Sequence, residues 1–221
     1  MDRIGKPELA GLFQRLREVF TQQREALIAL DGKVGDSDLG ITMSKGFIAA
    51  HEAVLAQLAT AGTDGIGKPL QMAGMAIAKA APSTMGTLTA TGFMRGGKAL
   101  LAAETIGTAE LAAFWRAYHD GVVERGKAKP GDKTLVDVLG PLLQSLEASA
   151  AVGLPLREAV VQAEAVAAQA LEATKTMTAQ HGKAAVFREK SVGLQDAGAT
   201  VGHLIIQAMR DHVVQAAEGQ A

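Results

Sequence analysis

The sequence predicts an all-α protein, an eight-helix antiparallel up-and-down barrel or bundle with its polar loops gathered at one end. Three observations predict it. Apolar residues recur at helical spacing along most of the chain. β-Branched alternation never persists, and Val186-Phe187 is too short to seed a sheet. Connections between the periodic stretches are short, which favours antiparallel neighbours.

The first helix spans residues 7–30, where Leu9, Leu12, Phe13, Leu16, Val19, Phe20 and Leu27 form one face opposite Arg15, Arg17, Glu18 and Gln22. The second spans about 39–58, and small, turn-forming residues at 60–65 break it. The third covers about 66–80 and stops at Pro82; Ser83 or Thr84 can cap the fourth, which reaches about residue 103. After a break at 105–108, the fifth helix carries Leu111, Phe114, Trp115, Tyr118 and Val122 to about Gly126. Residues 127–133, with Pro130-Gly131-Asp132, form a loop before the sixth helix at about 134–149. Val152-Gly153-Leu154-Pro155 turns the chain into an Ala-rich seventh helix reaching about residue 180. A longer loop to Asp196 precedes the last helix, from Gly198 to about Ala217, with a fraying polar tail.

With 221 residues and 48% hydrophobic content, the chain can bury a core as one domain over 1–221. No repeat, low-complexity tract or linker suggests a second one. A net charge of -1 offers no basic field for nucleic acid and no polybasic segment for a membrane surface. The absence of Cys excludes disulfides and thiolate metal sites, and no apolar run approaches the ~20 residues that cross a bilayer. The start Met1-Asp2-Arg3 lacks a secretory pattern, so a cytoplasmic location is expected.

In such a series the loops after the first, third, fifth and seventh helices share one end. They comprise residues 31–38, 81–87, 127–133 and 182–196, and hold most of the Gly, Asp, Lys, Ser and Thr able to bind a ligand. Asp31, Asp36 and Asp38 lie within eight residues, with Gly32, Gly35 and Gly40 letting the backbone bend so that the carboxylates can converge. Oxygen-only ligands suit a hard ion such as Mg²⁺, which takes one or two carboxylates plus substrate phosphates. A solvated turn capping the next helix would use the same residue types. Helix starts point unpaired N–H groups and positive dipole ends into this mouth. There Ser83, Thr84, Met85 and Gly86 offer a phosphate cradle, or a plain cap after Pro82. Gly131-Asp132-Lys133-Thr134 could add a phosphate or ribose contact or a surface cap, and Lys183 and Arg188 are the cationic candidates.

Other sites fail on spacing. The twelfth position from Asp31 is Thr42 instead of Glu, which excludes an EF-hand. No phosphate-loop or dinucleotide fingerprint follows a strand. His51, His119, His181, His203 and His212 form no zinc pair and no triad. Met43, Met72, Met75, Met85 and Met94 read as core filler, with Met85 placed to meet a nucleotide.

Three spaced motifs then carry a resemblance: Leu30-Asp31-Gly-Lys-Val-Gly-Asp36-Ser-Asp38, Arg125-Gly126-Lys-Ala-Lys-Pro-Gly-Asp-Lys-Thr134, and Ser191-Val-Gly-Leu-Gln-Asp196-Ala-Gly198-Ala-Thr200. Nearly the whole chain resembles the nucleotide-binding L subunit of dihydroxyacetone kinase. The resemblance implies a barrel of eight antiparallel helices whose mouth binds ADP or ATP through two Mg²⁺ ions. It implies metal ligation by Asp31, Asp36 and Asp38. It also implies nucleotide contacts from Leu39, Gly40, Ile41 and Thr42, from Ser83, Thr84 and Met85, and from Gly126, Leu135, Lys183, Asp196, Ala197 and Gly198.

The sequence also departs from that family. Leu39 and Leu194 stand where His is usual, Lys183 where Arg is usual, and residues 81–87 replace a Gly-Gly-Ala-Ser-Gly-Pro loop. These changes suit a divergent branch acting on another ketose. In the family a separate K subunit or domain holds the carbonyl substrate, so half of a kinase is expected here, working with a K-type partner and, in some systems, a phosphocarrier protein. Homo- or hetero-oligomers are both compatible with the sequence. Phosphoryl transfer needs placement and charge neutralisation more than covalent chemistry, which metal ions and helix starts can supply. The rival reading is a non-catalytic helical module, such as a ligand-sensing partner of a transcription regulator.

Overall fold

The computed structural model describes residues 1–60 and 65–218. Among them nine α-helices follow one another: α1 (Lys6–Gln22), α2 (Arg24–Asp31), α3 (Leu39–Leu58), α4 (Gly67–Ala80), α5 (Thr84–Ala99), α6 (Thr108–Gly126), α7 (Leu135–Ala151), α8 (Leu156–Ala173) and α9 (Ala197–Glu218). The only β-pairing among the described residues is a bridge between Ile4 and Ile106. Most of the break expected at 60–65 and the end of the polar tail, at 61–64 and 219–221, lie outside the described residues.

From α3 onward each helix packs on the next, and α1 packs on both α3 and α9. The up-and-down series therefore closes into a ring. Its interior is aromatic: the Phe93 ring on α5 lies 5.7 Å from Phe13 of α1, 5.9 Å from Phe47 of α3, and 5.7 Å from both Phe114 and Tyr118 of α6. Tilted and edge-on rings at these separations add to the area they bury. α4 and α5 approach at backbone distance, since a Cβ on Gly67 would collide with the Gly97 carbonyl and one on Gly97 would stand 2.7 Å from Gln71 N.

Three boundaries differ from the sequence expectation. The first helix is two, bent at Gln23, where ψ is 1°. The Thr21 hydroxyl donates to Arg17 O at 2.7 Å just before the bend, a local bond that tends to curve helices. The bend lays α2 on α3, where Gly40 meets the Arg24 carbonyl too closely to allow a side chain. α5 ends at Ala99 because the following backbone serves α4: Ala103 O accepts from Ile66 N at 2.8 Å. α8 ends at Ala173 instead of near 180, after which Thr174 Oγ1 accepts from Asp196 N at 3.1 Å and Lys175 O from Gly193 N at 2.7 Å. The strap that follows, residues 177–194, contains short 3₁₀ turns broken at Arg188, whose φ is +44°.

Candidate functional site

The residues at 31–38 sit between α2 and α3, and carboxylate oxygens of Asp31, Asp36 and Asp38 lie within 4.8 Å of one another. The loop's own chemistry enforces the convergence. Asp31 Oδ2 accepts from Asp38 N at 3.1 Å and, more distantly, from Leu39 N at 3.5 Å, so the last residue of α2 caps the start of α3. A Cβ at Gly35 would collide with Asp31 Oδ1, and Ser37 takes a left-handed backbone, φ +63°. The Lys183 ammonium pairs with Asp36 from across the mouth. Oxygen donors alone, mostly exposed and carrying three negative charges against one nearby ammonium, fit a hard divalent cation.

These carboxylates form one side of a cleft of about 490 Å³, within the ~300–1,000 Å³ range of small-molecule sites. All four loops expected at the mouth contribute to it, through residues of 31–38, 82–85, 126–135 and 181–198. Its apolar wall includes Met85, Leu88, Val122, Ala128, Leu135 and Val136. At the start of α5, Ser83 Oγ accepts from Gly86 N at 3.0 Å. The exposed Thr84 hydroxyl and the N–H groups of Thr84 and Met85 make no protein hydrogen bond among the described residues. At α7, Thr134 caps Val136 N at 3.2 Å, leaving Leu135 N free in the same sense. At α9, Asp196 Oδ2 accepts from Ala199 N at 2.7 Å and lies beside Gly198. Three helix starts thus turn positive ends and unspent donors into one cleft, an arrangement suited to anions.

Burial raises the pKa of the half-buried Asp196 to about 6, against the opposing pull of its bond to Ala199 N and the nearby Lys133. On the facing loop, the bond from Lys129 N and the contact with His181 hold Asp132 below the usual carboxylate range.

Of the residues anticipated as nucleotide contacts, Leu39, Ser83, Thr84, Met85, Gly126, Leu135, Lys183, Asp196, Ala197 and Gly198 line the cleft together with the Asp trio. Gly40, Ile41 and Thr42 do not. Gly40 is buried against α2, and Thr42 N is engaged by Asp38 O at 2.9 Å in the first turn of α3. Leu194 faces a neighbouring cleft of about 520 Å³ that also takes in Lys33, Lys175 and Thr200. Sequence reading did not single out Leu88, Val122, Ala128 or His181 as lining residues, because single apolar or His positions carry no motif. Nor did it find Asp137, whose carboxylate accepts from Thr134 N at 2.7 Å and fixes the loop before α7. Its place three residues after Thr134, as a capping-box partner, was the available signal.

Comparison with known proteins follows the same outline. The DAK2 domain pattern matches residues 33–211. The chain is 33% identical over 206 residues to the ADP-binding subunit DhaL of the PEP-dependent dihydroxyacetone kinase of Escherichia coli, covering 93% of this chain and 96% of that one. It is 33% identical over 218 residues to D-erythrulose kinase of Mycolicibacterium smegmatis, but spans only 37% of that protein's length. Among solved structures, the native dihydroxyacetone kinase of C. freundii superposes with a TM-score of 0.69 at 21% identity, over 91% of this chain and 34% of that one. The same kinase in complex with AMP-PNP and Mg²⁺ gives 0.67.

Proposed function

The chain belongs to the DAK2 domain family, and we propose that it is the ADP/ATP-binding, phosphoryl-transfer subunit of a ketose kinase, acting with a separate K-type subunit that holds the substrate. One observation carries the reading: the Asp31, Asp36, Asp38 trio and the unspent N–H groups of three helix starts face the same cleft. The trio would hold Mg²⁺, as two ions by the family resemblance, which would supply charge neutralisation between carboxylates and phosphate oxygens. Thr84, Met85, Leu135 and Ala197 present donors to the phosphates, with Gly198 leaving space for their approach, while Leu88, Val122, Ala128 and Leu135 receive the base. Lys183, already beside Asp36, adds a cation at the phosphate end. The E. coli relative, named an ADP-binding subunit, supports the nucleotide and the separate partner, and the erythrulose kinase supports a short ketose as acceptor. Whether the phosphate comes from free ATP, exchanging for bound ADP, or from a phosphocarrier protein that recharges bound ADP in place is decided by supplying each in turn to the reconstituted pair.

Calorimetry tests the metal-nucleotide site directly. Asp36→Asn and Asp38→Asn should abolish measurable Mg-ADP binding at unchanged helicity, since both side chains are exposed and neither contributes to the core. Unchanged affinity in both variants would sink the assignment.

A further inference from the structure

Lys133 stands in a segment that the sequence offers as a phosphate or ribose contact, yet its geometry fits a different task. It is only 3% exposed, and its backbone is left-handed, φ +60°. The ammonium donates to Ser191 O and Leu194 O at 2.6 Å and to Met177 O at 3.2 Å. An ammonium has three hydrogens, so no donor remains for a ligand. Burial pulls its pKa down, opposed by the charge of Asp196. A buried cation is costly unless its hydrogen bonds are complete, and here they are.

All three acceptors belong to the strap at 177–194, which contains no α-helix and supplies His181, Gly182, Lys183 and Ala184 to the cleft wall. The preceding residue ties the same strap: Asp132 O accepts from Gln180 N at 3.0 Å, and Asp132 Oδ2 lies 2.9 Å from His181 Nε2. Inside the strap, Ser191 Oγ accepts from Ala179 N at 2.9 Å and donates to Arg188 O at 2.6 Å. Behind Lys133, Asp137 anchors the loop to α7 through Thr134 N. A continuous set of contacts therefore runs from α7 through Lys133 and the strap to Lys183, and from Lys183 to Asp36.

We propose that Lys133 is the positioning residue of the nucleotide site. Its ammonium locks the strap onto the loop before α7, so that Lys183 reaches Asp36 and the start of α9 faces the cleft. Nucleotide affinity depends on Lys133 without its touching the nucleotide. The proposal rests on the nucleotide reading above and adds the residue that shapes that site.

Lys133→Met keeps the side chain's length and removes its donors. Two measurements on the full chain test it: amide hydrogen exchange without ligand, and Mg-ADP calorimetry. Exchange should accelerate at 177–194 while α5 and α6 keep wild-type protection, and Mg-ADP affinity should fall roughly tenfold or more, the usual scale for residues that orient a ligand's direct contacts. Weaker affinity with unchanged strap exchange would make Lys133 a direct ligand and overturn the proposal. Faster strap exchange with unchanged affinity would overturn it too, as would no change in either. Should Lys133→Met not fold, Lys133→Arg serves, because a flat guanidinium cannot place donors on three carbonyls around one nitrogen; wild-type behaviour of that variant in both measurements counts against the latch. Failure of the wild-type chain to bind Mg-ADP would refute the nucleotide reading, and with it the claim on affinity, while the exchange result still judges the latch itself.

Discussion

Ser83 and Thr84 are neighbours with different duties. Ser83 Oγ is engaged by Gly86 N, and a Cβ at Gly86 would strike the Ala81 carbonyl, so this turn is built around its cap. Thr84, one residue on, is exposed on the cleft with its hydroxyl uncommitted among the described residues. Ser83→Ala should therefore cost about 1 kcal/mol of stability in the ligand-free protein, read as a lower melting temperature. Thr84→Ala should leave that temperature in place and weaken ADP roughly tenfold to a hundredfold, the ~1.5 to 3 kcal/mol of a bond to a charged group. Equal ADP affinity in wild type and Thr84→Ala would show that the phosphates are held elsewhere in the mouth. At this scale the sequence is legible where a residue acts through its neighbours, as Ser83 does through Gly86. It is illegible at Lys133, whose partners are 44 to 61 residues away and are backbone carbonyls, which every residue possesses.

Helix ends, more than helix bodies, set the site. α3, α5, α7 and α9 all begin at the mouth, and each start has a different cap: Asp31 from the preceding helix, Ser83, Thr134 with Asp137, and Asp196. The helical periods revealed the bodies, while the early end of α8 escaped because the bonds responsible, to Asp196 and to Gly193, are tertiary. The bend at Gln23 escaped because the local bond beside it, from the Thr21 hydroxyl to Arg17 O, leaves the apolar period unbroken. The cap of α9 makes a pH-dependent prediction. Burial favours the neutral form of Asp196, with a folded pKa of about 6 against an ordinary 3.8. A raised folded pKa contributes stability that is complete below the ordinary value and is lost as pH climbs through the folded one. Asp196→Asn keeps an oxygen to accept from Ala199 N and removes the charge. The melting temperature of ligand-free Asp196→Asn should therefore match wild type near about pH 4, exceed it increasingly up to about pH 7, and keep a constant margin above that. A margin independent of pH would mean that Asp196 titrates as an ordinary exposed carboxyl.

At the scale of the molecule, the ring divides its labour between an aromatic interior around Phe93 and one polar end where four loops meet. Alternating helix direction is what brings residues as distant in sequence as Asp36 and Lys183, 147 positions apart, into contact, and the shared end of their loops was readable before any side chain was placed. The proposed function gives this cleft a specific limit. In the proposed pose, a nucleotide with its base against Leu88 and Val122 and its phosphates toward the exposed Asp36 and Asp38 takes up the 490 Å³ cleft. In-line transfer requires an acceptor hydroxyl held rigidly opposite the leaving oxygen, with water kept away. The neighbouring cleft does not offer this: it is lined by Gln23, Lys33, Lys175 and Thr200, and none of the three carboxylates faces it. On the proposed reading, the acceptor is presented by another surface closing over the rim. The purified 221-residue chain should accordingly bind Mg-ADP yet transfer no phosphate from ATP to dihydroxyacetone or erythrulose, and a K-type subunit added in equal amount should restore turnover. Steady ketose phosphorylation by the chain alone, measured by coupled ADP release with mass-spectrometric identification of the product, would place the acceptor site within this fold and remove the need for a partner.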